Sequence, residues 1–128
     1  MSAKPPSRPA RFVMAATFLG AGVTHFTSPD FFEAIVPKEL PGKRELVYGT
    51  GVAEILGGAA LLARPSRKLG WLLIALLLIV FPANLNQAFR GAHYEAMPEP
   101  PRWVLFARLP VQALMIWLVL AATRPSDG

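Results

Sequence analysis

Apolar residues fall in four long runs, at about 12–27, 46–63, 69–88 and 103–122. Each approaches the ~20 residues that let a helix cross a ~30 Å hydrocarbon core, and the first is the shortest. The third is the plainest, because Leu69 to Phe81 carries no charge at all. A helix on the surface of a soluble protein shows a polar stripe at its 3.6-residue period, and this run shows none. The pattern predicts an all-α chain: an integral membrane four-helix bundle with both ends as short tails, 1–11 and 123–128. The alternative is a soluble bundle. It would have to hide the whole of Leu72–Val80 from water, which so small a chain can hardly do.

The connections add detail. Ser28-Pro29-Asp30 has the form of a helix start, with Ser at the N-cap, Pro in the first turn and Asp behind it. Phe31, Phe32, Ile35 and Val36 follow, and Pro37 and Pro41 end the segment. A short interfacial helix over Pro29–Val36 is expected in the first outer loop, either as a lid over a cavity or as an anchor in the interface. Gly49, Ala53 and Gly57 stand four apart in the second run, and Ala16 and Gly20 do so in the first. Such stripes let helices approach closely, here within one bundle or alternatively between two copies of the chain. Pro82 and Pro110 lie inside the third and fourth runs, where each removes a backbone hydrogen bond.

Composition sharpens this picture. Hydrophobic residues make up 53% of the 128 residues and charged ones only 16%, against roughly 25% charged in soluble domains. Disorder is therefore excluded. The chain has no cysteine. That excludes a disulfide scaffold, cysteine-ligated zinc, an iron–sulfur cluster and the cysteine pairs that pass disulfides to quinones. The net charge of +5 reads as topology. Lys4, Arg8, Arg11, Arg64, Arg67, Lys68 and Arg124 fall on one side, with Asp127 as the single acid. Five basic and six acidic residues fall on the other side. The positive-inside rule then places both termini in the cytoplasm of a multi-pass cell-membrane protein. The expected partners are the lipid bilayer and a membrane or extracytoplasmic protein, not nucleic acid. Lys4, Arg8 and Arg11 before an apolar run also suit a signal peptide, but no small-residue cleavage site follows cleanly.

Polar side chains inside apolar spans are costly, so their positions carry information. His25 stands near the outer end of the first run and Glu54 near the middle of the second. Asn84, Asn86 and Gln87 stand near the outer end of the third, and Arg108 and Gln112 in the fourth. At ~1.5 Å per residue, all fall in the same half of the bilayer. Arg108 and Gln112 share a helix face, as do Asn84 and Gln87, and Thr50 and Glu54. The expectation is one outward-opening polar pocket built from His25, Glu54, Asn84, Gln87, Arg108 and Gln112. Glu54 and Arg108, the deepest ionisable residues, are expected to meet directly or through water. The same set could instead be a structural network that fixes helix register. One span histidine without a partner argues against a bis-His haem, and no metal set is visible.

These residues carry a resemblance. The order runs His25-Phe26, Pro29, Phe32, Ile35, Pro37 and Leu40-Pro41, then Gly51 and Glu54, then Arg67. It ends with Phe81-Pro82-Ala83-Asn84 and Arg108-Leu109-Pro110 with Gln112. This set resembles the DoxX-like family of small four-helix membrane proteins over His25 to Trp117. The resemblance implies a membrane subunit of the kind found with archaeal thiosulfate:quinone oxidoreductase, or in complexes handling oxidative or thiol stress. Eukaryotic relatives include a receptor-assembly chaperone. It also implies that His25, Glu54, Asn84 and Arg108 form the functional set. With no cysteine, a redox role requires a bound quinone or a partner subunit. No catalytic centre is visible. The readings carried forward are an accessory of a redox or stress complex that binds a quinone-like or lipidic ligand, a small proton-coupled transporter, and a membrane chaperone or scaffold.

Overall fold

The computed structural model describes residues 5–125. Lys4 and Asp127 of the charge pattern lie outside them. The chain is all-α, with no strand among the described residues. Its helices are α1 (Arg8–Thr27), α2 (Pro29–Ile35), α3 (Lys43–Ala63), α4 (Arg67–Arg90) and α5 (Arg102–Ala122). Three of them, α3, α4 and α5, are long and apolar enough to cross a membrane.

Local chemistry sets the helix ends beyond the apolar runs. Ser7 Oγ accepts from Ala10 N at 3.2 Å, and Pro9 sits in the first turn, so α1 begins at Arg8 inside the expected tail. Hydropathy cannot see such a start, because Arg8 and Arg11 are polar while the cap is a hydrogen bond. Arg11 then reaches across to α3. Its Nε donates to Leu61 O at 2.9 Å and its Nη2 to Leu62 O, which satisfies carbonyls in the last turn of that helix. Ser66 Oγ caps α4 through Leu69 N at 3.1 Å. Gly91, at φ 70°, ends α4 in the left-handed region that glycine enters without steric cost.

The short helix α2 forms as expected, but its start differs from the expected cap. Ser28 occupies the N-cap position without a side-chain capping bond. Its N–H instead closes α1 on Thr24 O at 2.8 Å, while its carbonyl accepts from Phe31 N at 3.2 Å. One residue therefore ends one helix and begins the next.

Helix α1 lies along α3 and touches α5, while α4 packs on α5 and α3. The close approach does not use the expected stripes. Gly20 and Gly49 have nothing within 4 Å of where a Cβ would stand, and Ala16 and Ala53 are exposed. The contact runs through Gly22 against Gly51 and Ile55, and through Gly58 against Ala15 and Leu19. Gly57 faces Leu73 of α4 instead. Around the chain ends the core is apolar apart from Thr123, whose hydroxyl donates to Val119 O at 2.7 Å, and is built on Met14, Phe18, Leu61, Leu73, Leu77 and Val119. The opposite half, under α2, holds the polar groups. The outward side chains are greasy: Leu72 is 63% exposed and Ile79 67%.

Candidate functional site

Between the helices and beneath α2 lies a cavity of about 350 Å³. Its apolar wall includes Phe18, Ile35, Leu46, Leu77, Val80 and Met115. His25, Glu54, Asn84, Arg108 and Gln112 supply its polar wall. Five of the six residues singled out in the sequence thus face one chamber. The sixth, Gln87, is fully buried behind Arg108, away from the chamber wall.

Of the expected Glu54–Arg108 contact, direct or through water, the direct form is not made; each side chain has another partner. Glu54 Oε1 lies 3.4 Å from His25 Nε2, and both side chains are buried. Arg108 Nη1 donates to Gln87 Oε1 at 2.6 Å. The cause is the α1–α3 approach. Gly22 and His25 lie on one face of α1, three residues apart, and Gly51 and Glu54 do the same on α3. Where the glycines touch, His25 and Glu54 are brought together. The glycines at 22 and 51 were the sequence signal for this pair.

The His25 ring is held on three sides. Its Nδ1 lies 2.6 Å from Ala21 O, and a carbonyl can only accept, so Nδ1 carries a proton. The neutral ring then turns the Nε2 lone pair toward Glu54. A favourable contact requires one proton between the two groups, giving imidazole with carboxylic acid or imidazolium with carboxylate. Phe32 of α2 stacks on the ring, with centroids 3.9 Å apart. The short helix therefore lies over the chamber, an arrangement open to both the lid and the anchor reading, and sequence spacing gave no sign of this stack.

Two glutamines are only half satisfied. Gln112 Nε2 donates to Leu77 O at 2.9 Å, which fixes the amide orientation. Its Oε1 is buried without a partner. Gln87 Oε1 is taken by Arg108, and its Nε2 is likewise buried and unpaired. Neither amide can flip without setting donor against donor or acceptor against acceptor. Pro82 lacks the N–H that would bond the carbonyl of Leu78, and the carbonyl that Gln112 reaches is the neighbouring Leu77. Asn86 lies outside the predicted set. Its Nδ2 donates to Ile35 O at 3.0 Å and pins the end of α2 to α4.

Fold and site together define an all-α protein with membrane-competent helices around a half-polar chamber. Residues 14–123 match the family described as Domain of unknown function (DUF8561), and the chain belongs to that family. No curated protein and no solved structure matches the chain.

Proposed function

We propose that α1, α3, α4 and α5 all cross the cell membrane with both termini cytoplasmic, and that the chamber binds a lipid-soluble ligand with a polar head. The exposed leucines and isoleucines on α4 favour lipid around the bundle, since water would penalise them. The single observation that carries the ligand reading is Gln112. It is a chamber-lining residue whose amide keeps a buried acceptor oxygen without a partner among the described residues. A buried acceptor left unmade costs ~1–3 kcal/mol, which a ligand hydroxyl or N–H that drew this oxygen round into the chamber would recover. Arg108 and Asn84 offer donors to a carbonyl, and the apolar wall suits a hydrocarbon ring or tail. A quinone or a related lipid meets these demands. With the DoxX-like residue set, this supports a subunit or accessory of a membrane redox or stress complex.

Native mass spectrometry after purification in mild detergent tests the reading, with lipid extraction beside it. The expected result is a retained quinone or other small lipid that is lost in Arg108→Leu and in Gln112→Leu. An empty protein would turn the polar set into a structural network and the function toward a chaperone or scaffold.

One observation favours a second reading, a proton-coupled transporter. The His25–Glu54 contact sets a base and an acid 3.4 Å apart at the edge of a chamber. Proton-coupled flux into liposomes, abolished by Glu54→Gln, would support it over the ligand reading.

A further inference from the structure

A second cavity, of about 270 Å³, opens at the same end of the molecule. It lies where the segment after α2, the start of α3 and the end of α4 meet. Lys38, Lys43 and Arg90 line it, with Asn86 at its side. Arg90 is already answered, because both carboxylate oxygens of Glu39 accept from its Nη1, at 2.6 and 2.8 Å. Lys38 and Lys43 form no ion pair among the described residues. The mouth therefore carries two ammonium groups without a direct carboxylate contact, with Lys38 near enough to Glu39 to help hold its carboxyl below the ordinary value.

The backbone around it is arranged to the same effect. Lys43 opens α3, and Gly42 before it offers no side-chain cap, so the first-turn N–H groups keep their donor capacity. The facing end of α4 is closed, because Gly91 N and Ala92 N both donate to Asn86 O. Val36 lines both this cavity and the larger one. A group held by the two lysines therefore sits one side chain away from the apolar chamber.

We propose that this second cavity is a phosphate-type oxyanion site, with Lys38 and Lys43 as the ligand-binding residues and Arg90, braced by Glu39, as its fixed wall. The occupant is either the headgroup of an anionic phospholipid or free phosphate. Two ammonium groups beside a guanidinium already paired with Glu39 leave a net positive charge that suits one phosphate group. The site rests on its own residues and does not depend on what fills the larger chamber.

The test is a titration of the detergent-purified full chain, read as Tm by tryptophan fluorescence at constant ionic strength. One arm adds phosphatidylglycerol in neutral-detergent micelles, and the other adds inorganic phosphate. A bound ligand raises Tm with its concentration. The expected result is a titratable rise whose midpoint moves at least about tenfold in Lys38→Gln/Lys43→Gln, from the loss of two charge-assisted contacts. Lys38→Arg/Lys43→Arg restores it. Arg64→Gln/Lys68→Gln, which removes two charges at the opposite end, leaves it in place. A rise with phosphatidylglycerol alone assigns the site to a headgroup, and a rise with both probes assigns it to any phosphate. No rise with either probe would overturn the proposal, as would an equal rise in wild type and Lys38→Gln/Lys43→Gln. An empty chamber in the native mass spectrum would leave this titration unchanged, so the two readings fail separately.

Discussion

At the scale of single residues, two close approaches decide how the polar groups pair. A Cβ on Gly22 would lie 2.6 Å from Ile55 Cγ1 and 2.8 Å from the carbonyl oxygen of Gly51. The carbonyl belongs to helix backbone and cannot turn aside. Gly22→Ala should therefore cost about 1–3 kcal/mol, as overpacking does. Gly49→Ala meets open space and should stay within about 0.5 kcal/mol of wild type. Thermal unfolding in detergent separates the two. The same logic applies to Arg108. Gln87→Leu removes its one acceptor among the described residues and leaves a half-buried guanidinium unpaired, at a cost of about 1 kcal/mol. Adding Arg108→Leu to that variant should recover part of the loss, and a double-mutant cycle measures how much. At this scale the sequence was legible in kind but not in pairing. The rarity of His25, Glu54, Asn84, Arg108 and Gln112 in apolar runs marked them, and they do share a chamber. Which carboxylate meets which base depends on how α1 is turned against α3. That rotation follows from Gly22, Gly51 and Gly58, not from the stripe at Gly49, Ala53 and Gly57. Both stripes have helical spacing, and only packing tells them apart.

At the scale of elements, α2 is the part whose attachment can be tuned. Three links hold it over the chamber: the Phe32 stack on His25, the Asn86 bond to Ile35 O, and the ion pairs of Arg44 with Asp30 and Glu33. Asn86→Leu removes one buried bond, worth about 1 kcal/mol. The amides of α2 should then exchange roughly fivefold faster, with little change in those of α4. Hydrogen exchange by mass spectrometry resolves this. The segment after α2 carries a pH-sensitive tie of its own. The hydrogen bond from Arg90 holds the Glu39 carboxyl below its ordinary value of 4.5. With the folded value lowered, the tie contributes fully above the free carboxylate range and is lost as pH falls through the folded value. Protection of residues 36–41 should therefore fall on acidification below about pH 4, and in Glu39→Gln it should already be low at neutral pH. The elements themselves were legible from apolar runs and proline punctuation. Their ends were less so, because Ser7, Ser66 and Gly91 set them through capping bonds that hydropathy does not register.

At the scale of the whole molecule, the distribution of polarity along the bundle is the organising fact. One end is packed from Met14, Leu61, Leu73 and Val119, and the other is hollow and polar. Helix α1 is the element on which the membrane arrangement turns. It is less apolar than α3, α4 and α5 and is not among the helices apolar enough to span by composition. Yet it contributes Met14 and Phe18 to the buried core and His25 to the chamber. If all four long helices cross, residue 5 and residue 38 lie on opposite sides of the membrane, since one span separates them. If only α3, α4 and α5 cross, both lie on the same side. The absence of native cysteine makes the distinction clean. Pro5→Cys and Lys38→Cys, made singly, can be probed with a membrane-impermeant maleimide on intact cells and again after lysis. Four spans with cytoplasmic termini require Lys38→Cys to react from outside and Pro5→Cys only after lysis. Reaction of both from outside, or of neither, would leave α1 lying along the membrane surface. His25 would then be lifted out of the bilayer, and the chamber with it would open to water.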